Sequence, residues 1–533
     1  MASAAIDDVR GIHAGRDRLV IFASTLGTVF EWYDFFVYGT LANIVAGHFF
    51  PSENPAVSFL IFLASFGVGF GMRPLGAVAF GVLGDRLGRK YTFLVTITVM
   101  GIATAAVGLL PTYERIGVAA PVLLVLCRVL QGLALGGEYG GAAIYVAEHA
   151  PRRRRGFYTS FIQAGVIGGF LLSLAVVLAA NAFVDGAAFA AWGWRIPFLF
   201  SLLLLAMSLW VRLKLKESPV FSAMKAAGET SANPFTESFN SWAKWKLILV
   251  ALFGISAGLT VIWYTAQFQA LYFLQNALRV DDTAARLIVG FGAVFSLFWF
   301  ILFGWVSDKV GRRKPILIGY ALTILLMFPL FHLMASAANP GLAAAMERSP
   351  VVVTGSDCTY DPFATRGQKT ACGKVLDALS KKGVGYTKME GAPGSAPVVT
   401  IGGRPVAMAA PADLDAALKE AGYRLDKIVP PLSRMAVLIF TIVAIGFLSG
   451  MTYGPVAALL VELFPARVRY TSMSVPYHIG TGYFGGFLPF ISQYIVARTG
   501  DPFSGLWYTI GVVTMALVVT LFWLPETAGR QLE

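Results

Sequence analysis

Gly81-Val82-Leu83-Gly84-Asp85-Arg86-Leu87-Gly88-Arg89-Lys90 decides the fold, because the same pattern occurs twice. The second copy is Gly304-Trp305-Val306-Ser307-Asp308-Lys309-Val310-Gly311-Arg312-Arg313. Both read G-x-x-x-D-[RK]-x-G-R-[KR], and each closes a long apolar run. A second pair follows: Glu148, Pro151, Arg153 and Arg155 match Glu462, Pro465, Arg467 and Arg469 in E-x-x-P-x-R-x-R. Self-similarity on this scale marks a chain built from two parallel repeats. The second pair is spaced more widely than the first, so the second repeat carries an insertion. It is the one long hydrophilic stretch, Asn339 to Pro431.

The runs around these loops have the length of a bilayer. Hydrophobic residues make up 56% of the chain and charged ones 14%, with a mean hydropathy of +0.68. Soluble chains carry about 25% charge, and about 20 apolar residues cross the hydrocarbon core. Six spans are expected at Leu19–His48, Ala56–Leu83, Tyr91–Leu110, Pro121–Ala147, Phe157–Phe183 and Trp194–Leu213. Six more are expected at Trp245–Leu278, Leu287–Val306, Pro315–Ala338, Ser433–Leu463, Ser472–Val496 and Gly505–Leu524. The fold class is therefore an all-α polytopic membrane protein with twelve transmembrane helices in two six-helix repeats. Its expected parts are a tail (1–18), a first bundle (19–213), a central loop (214–244), a second bundle (245–338 and 432–524), a loop module (339–431) and a closing tail (525–533).

The net charge of +12 lies in alternate loops, which argues against nucleic acid. One side holds Arg86, Arg89, Lys90, Arg152 to Arg155, Lys309 and Arg312 to Lys314; the other offers little beyond Arg115, Arg279, Arg286 and Arg498. The positive-inside rule makes the first side cytoplasmic, with both termini inside and the module outside. Met1 to Arg18 is polar and lacks the short apolar core of a cleavable signal.

The insertion has the pattern of a small α/β module. Val351–Thr354 is expected as a strand and Gln368–Lys382 as an amphipathic helix presenting Val375, Leu376 and Leu379. Pro397–Ile401 and Arg404–Met408 flank Gly402-Gly403 as a hairpin, and Asp413–Ala421 closes the module as a helix. Cys358 and Cys372 lie inside it and favour a structural disulfide. The order of elements faintly resembles a glutaredoxin-like domain, but the cysteines are too far apart for C-x-x-C chemistry.

Ionisable residues inside the spans point to function. At about 1.5 Å per residue, Glu31 lies about 18 Å from the basic side, Arg73 about 17 Å and Glu138 about 15 Å, close to the midplane. Asp34 shares a helix face with Glu31, and Arg128 lies further out. A buried carboxylate can take up a proton, and a nearby cation opposes that. Asp34 and Arg128 are expected to belong to one network. Arg73 and Arg128 also suit an anionic carboxylate, which a guanidinium binds through two parallel hydrogen bonds. Gln267, Tyr453 and His478 are candidates to line a cavity in the second half, as are Gln131 and Tyr139 in the first. In the repeated loops, Gly81, Asp85, Arg86, Gly88, Arg89 and Lys90, with Gly304, Asp308, Lys309, Gly311, Arg312 and Arg313, suit a gate whose ion pairs form in one conformation and break in the other.

The duplicated loop resembles the signature of the major facilitator superfamily. Glu31-Trp32-Tyr33-Asp34-Phe35, Met72-Arg73-Pro74, Gln131-Gly132, Gly136-Gly137-Glu138-Tyr139-Gly140 and Gly193-Trp194-Arg195-Ile196-Pro197-Phe198 are similar to its metabolite:proton symporter branch. That branch includes permeases for α-ketoglutarate, citrate, shikimate and proline or betaine. The resemblance implies two six-helix bundles around a cavity that opens alternately to each side. It also implies proton-coupled symport of a small organic acid in a bacterial inner membrane, by a monomer. Arg128-x-x-Gln131-Gly132 resembles a fourth-span motif tied to proton coupling. A zwitterionic osmolyte is the alternative substrate, and a membrane-anchored enzyme or sensor built on the module is the remote one. The chain has no Walker loop, H-E-x-x-H motif or metal cluster, so no ATP, metal or cofactor is called for and no catalysis is expected.

Overall fold

The computed structural model describes residues 14–87, 89–137, 139–213, 234–406, 411–465 and 468–532. Among these, the first six spans are Ala14–Thr40, Pro55–Gly71 continued by Arg73–Leu87, Arg89–Leu109, Ala119–Gly136 continued by Tyr139–His149, Arg155–Phe183 and Arg195–Leu213. The second six are Trp242–Ala277, Asp282–Val310, Arg313–Ala338, Leu432–Leu463, Arg469–Ile479 continued to Leu488–Thr499, and Leu506–Trp523. Eight are long and apolar enough to cross a bilayer by composition alone, and the pair Gly186–Gly193 and Arg195–Trp210, bent by 61°, makes a ninth. The first, third and eleventh are not among these, the third contributing only the shorter apolar helix Leu94–Leu109. The first carries Glu31 and Asp34, and the eleventh Tyr477 and His478, polar groups buried inside the protein.

The span ends are set locally. Asn54 caps the second span by accepting from the Ala56 N–H, with Pro55 at the first helical position. Asp281 caps the eighth by accepting from the N–H groups of Thr283 and Ala284. Arg195 donates to the carbonyls of Gly108 and Leu110 at the end of the third span, 2.7 Å each, and lies over the Trp194 ring. The two halves meet along the fifth and eighth spans, where Gly156 and Gly304 touch. A Cβ on Gly304 would sit 2.6 Å from Ser160 Cβ and 2.7 Å from the Gly156 carbonyl oxygen, so only glycine allows this approach.

The insertion folds around its own core, apart from the transmembrane one. Strands β1 (Val351–Gly355), β2 (Thr387–Glu390), β3 (Val398–Ile401) and β4 (Arg404–Val406) form one sheet in the order β2-β1-β3-β4. β1 runs parallel to β2 and antiparallel to β3, with Val353 opposite Lys388 and Val399. Val351, Val353, Val399 and Ile401 alternate onto one face and bury against Leu376 and Leu379 of the helix Ala371–Lys381 and Leu414 and Leu418 of the helix Pro411–Glu420. Gly402 and Gly403, with φ of 57° and 79°, make the β3–β4 turn that L side chains resist. Two elements lie outside the sequence expectations. β2 is exposed along its whole length and lacks the alternation that marks a half-buried strand. The helix Pro340–Arg348 is capped by Asn339, whose Asn-Pro signal was legible. Cys358 and Cys372 are joined as a disulfide, with Cα atoms 4.8 Å apart.

The module sits on the ends of both halves. Asn54 donates to Asp377 (2.8 Å) and to the Tyr360 hydroxyl (3.2 Å). The Tyr386 N–H donates to the Gly500 carbonyl (3.0 Å), and Lys388 Nζ to that of Arg498 (2.6 Å). Phe363 packs on Phe490 and Tyr494 of the eleventh span.

Candidate functional site

Arg128 and Gln131 are three residues apart on the fourth span and so share a face. Both are fully buried. Arg128 Nη1 donates to Gln131 Oε1 (2.6 Å), and Gln131 Nε2 donates to Thr104 Oγ1 (2.7 Å). The guanidinium lies over the rings of Phe35, Tyr38 and Phe66, 4.2, 4.3 and 5.3 Å from their centroids. Its Nε and Nη2 have no hydrogen-bond partner among the described residues, and no carboxylate pairs with it there. A buried guanidinium with open donors is costly unless an anion completes it.

Arg73 on the second span faces the other half. Its guanidinium lies 5.2 Å from the Trp32 ring and 5.5 Å from the Phe70 ring, and its charge acts on Tyr264, Tyr453 and His478. The hydroxyls of Tyr453 and Tyr477 are 3.2 Å apart. On the seventh span Tyr264 precedes, and Gln267 lies within, a π-helical turn, Thr265–Gln269, a distortion common at functional sites. The Tyr264 hydroxyl and both polar ends of Gln267 are buried with no hydrogen-bond partner among the described residues. Phe36, Trp263, Tyr264 and Phe268 complete an aromatic wall, with Phe36 stacked on Trp263 at 5.0 Å and Tyr264 on Phe268 at 5.8 Å.

Glu31 and Asp34 are buried on a different face of the first span. With Met100 and Ser208 they line a gap of about 10 Å³ toward the third and sixth spans, room for about one water. Asp34 Oδ1 has no hydrogen-bond partner among the described residues. Asp34 and Arg128 are neighbours only indirectly: Thr104, which accepts from Gln131, donates to the Met100 carbonyl at 2.9 Å and lies 3.5 Å from the backbone carbonyl of Asp34. Glu138, and the side chain of Tyr139, lie outside the described residues.

At the basic end the second copy of the repeated loop joins the halves. Asp308 accepts from the N–H groups of Gly156 and Phe157, 2.8 Å each, so it caps the fifth span of the first half. Arg312 donates to Asp308 (2.6 Å) and, through Nε and Nη2, to both oxygens of Glu462 (3.1 Å each). Arg155 of the first half donates to the same Glu462 at 2.9 Å. Glu462 is thus a buried carboxylate between two arginines from opposite halves. Glu526 accepts from the N–H groups of Arg312, Arg313, Thr527 and Ala528. Gly311 turns the chain with a φ of 97°. Lys309 stands apart, 3.7 Å over the Trp305 ring, and Arg313 reaches the Leu521 carbonyl. Gly88 and the side chains of the first copy, at Gly81, Asp85, Arg86, Arg89 and Lys90, lie outside the described residues. Arg155 and Glu462 were not among the sequence candidates; the signal for them was the second repeated motif, in which both stand.

Comparison with known proteins completes the picture. A family described as sugar (and other) transporter matches residues 19–247 and 426–533, leaving out the stretch that carries the module. The chain is 39% identical over 340 residues to a glycine betaine/proline/ectoine/pipecolic acid transporter of Dickeya dadantii (strain 3937), covering 62% of this chain and 68% of that one. It is 39% identical over 321 residues to a shikimate transporter of Escherichia coli (strain K12), covering 59% and 72%. A solved proton:xylose symporter shares the fold with a TM-score of 0.63 at 15% identity, covering 98% of each chain.

Proposed function

Because the chain belongs to the sugar (and other) transporter family of the major facilitator superfamily, we propose that it is a proton-coupled symporter for a small solute carrying a carboxylate. Arg128 carries this reading: it is a buried cation with two open donor nitrogens and no carboxylate partner among the described residues. The named relatives move shikimate and glycine betaine or proline, and all of these bear a carboxylate. An organic acid places that group on Arg128. A zwitterion does the same and lays its cationic end against the Trp263, Tyr264 and Phe268 rings, which favours the osmolyte reading as a second one.

The basic end faces the cytoplasm of a bacterial inner membrane and the module faces out. The Arg155–Glu462–Arg312–Asp308 network holds the basic end shut, so opening inward breaks it. Asp34, buried with no cation paired to it among the described residues, is the proton carrier. Binding of substrate at Arg128 is felt at Asp34 through Gln131 and Thr104. The test is uptake of radiolabelled shikimate, citrate, α-ketoglutarate, proline and betaine into proteoliposomes with an imposed proton gradient. Accumulation should follow the gradient and collapse with a protonophore. Accumulation that ignores the protonophore and requires sodium would overturn proton coupling.

A further inference from the structure

We propose that the cavity between the module and the ends of the two halves is a second binding site, for small carboxylates, anchored by Arg279. The cavity has a volume of about 560 Å³ and is lined by Asn43 and Ser52 of the first half, Gln275 and Arg279 of the second, and Lys381 and Tyr386 of the module. That volume lies within the usual range of small-molecule sites, about 300–1,000 Å³. All three parts of the protein build its wall, so it exists only when the module is docked.

The lining is rich in donors and positive charge. Its cations are Arg279, Lys381 and Lys427, against one carboxylate, Asp282. Lys427 pairs with Asp282 at 2.7 Å, and Lys381 lies 3.3 Å from Asp377. Arg279 has no carboxylate partner among the described residues. Arg279 Nε, Gln275 Nε2 and the Tyr386 hydroxyl all lack hydrogen-bond partners among those residues, and Gln275 and Tyr386 are 2% and 6% exposed. Three unmet buried donors in residues that line one cavity, one of them on a guanidinium with no carboxylate partner among the described residues, ask for an anion with several acceptor oxygens.

The backbone at Arg279 is a separate observation. Arg279 has a φ of 56°, a left-handed conformation that a long side chain adopts at a cost. It is held by the Ile428 N–H donating to its carbonyl and the Asp281 N–H donating to that of Ile428, 2.8 Å each. Its guanidinium also donates to the Lys382 carbonyl beside Gly383. The segment around Ile428, through which the chain leaves the module, therefore fixes the arginine where it borders the cavity. In the cavity wall, Tyr272 packs on Phe268, which stacks on Tyr264, so a row of rings runs from this site to the central one.

The test uses the full-length protein in neutral-lipid nanodiscs, with radiolabelled succinate as probe and succinamide as the uncharged competitor. Succinate should bind and succinamide should not displace it. Arg279→Gln should weaken binding about tenfold or more. Tyr386→Phe, which removes one hydroxyl and leaves the packing, should weaken it about threefold. Arg128→Gln should leave this class of sites filled, because it alters only the central site. Persistence of the Cys358–Cys372 disulfide against a thiol reagent checks that each variant keeps its module. Wild-type succinate binding in both Arg279→Gln and Tyr386→Phe overturns the proposal, as does binding abolished by Arg128→Gln alone or absent from the wild type. The transport reading fails on a different measurement, protonophore-insensitive uptake, so the two failures are distinguishable.

Discussion

Arg128 is the residue on which the proposed carboxylate binding turns. Its fork is used on one side by Gln131 and is open on the other, and three rings press on its face. Arg128→Lys keeps the charge but loses the fork and the stacking surface, so it should raise KM about tenfold or more. Uptake kinetics at saturating proton gradient would check this, and an unchanged KM would move the substrate carboxylate elsewhere. Asp34→Asn should keep exchange of labelled for unlabelled substrate and lose uphill accumulation. Retained accumulation would remove Asp34 from coupling. At the other end of the chain, partial burial works against the charged form of Glu526, but four backbone N–H donors outweigh it and hold the carboxyl below its ordinary value of 4.5. A lowered folded value means that its contribution is present above about pH 4.5 and is lost as the pH falls through the lower folded value. Glu526→Gln should therefore lower Tm at pH 7 and narrow the gap from wild type in acid; an equal gap at both pH values would count against it.

Between elements, the proposed gate is a question of which helix ends meet. Asp308 caps a helix of the other half, and Glu462 sits between Arg155 and Arg312. Removing one partner of a buried pair leaves uncompensated charge and costs about 3–5 kcal/mol. Glu462→Gln should thus shift the carrier toward the state open at the basic end, where these arginines reach water. A single cysteine placed at Gln267 should then be labelled faster from the cytoplasmic side. Labelling unchanged from both sides would make the network structural and not a gate. The fifth–eighth span contact imposes a similar constraint, because Gly156 and Gly304 leave no room for a side chain between the halves.

For the whole molecule, the module is a separate fold with a shared boundary. It has its own core and disulfide, which predicts that the bundles form without it. Replacing residues 349–429 by a Gly/Ser linker should leave proton-driven uptake measurable. KM should rise, because one wall of the cavity at the module end is lost. Complete loss of transport in a correctly inserted protein would make the module part of the engine. The disulfide closes the loop that carries Tyr360 and Phe363, both of which touch the bundles. The chain-entropy contribution of such a loop is about 3 kcal/mol. Cys372 is 1% exposed, so Cys358→Ser should leave it slow to react with a membrane-impermeant reagent until the module opens. Fast labelling in the folded variant would show that the disulfide holds the module together.

Hydropathy and motif repetition are local properties, which is why the spans, the duplication, the inserted module and the class of chemistry could be read from residues alone. A 20-residue apolar run has one stable place, and a motif that occurs twice reports its own symmetry. Within the module, alternation disclosed β1 and Gly402-Gly403 disclosed a turn, while β2 stayed hidden because its four residues are all exposed. Partners across the molecule were another matter. That Glu462 pairs with Arg155 and Arg312, that Asp34 turns toward the third and sixth spans, and that the module closes a cavity around Arg279 depend on how helices distant in sequence are rotated against one another. A turn of about 100° per residue moves a side chain from one neighbour to the next, and that rotation is settled by packing between spans, which only the tertiary structure contains.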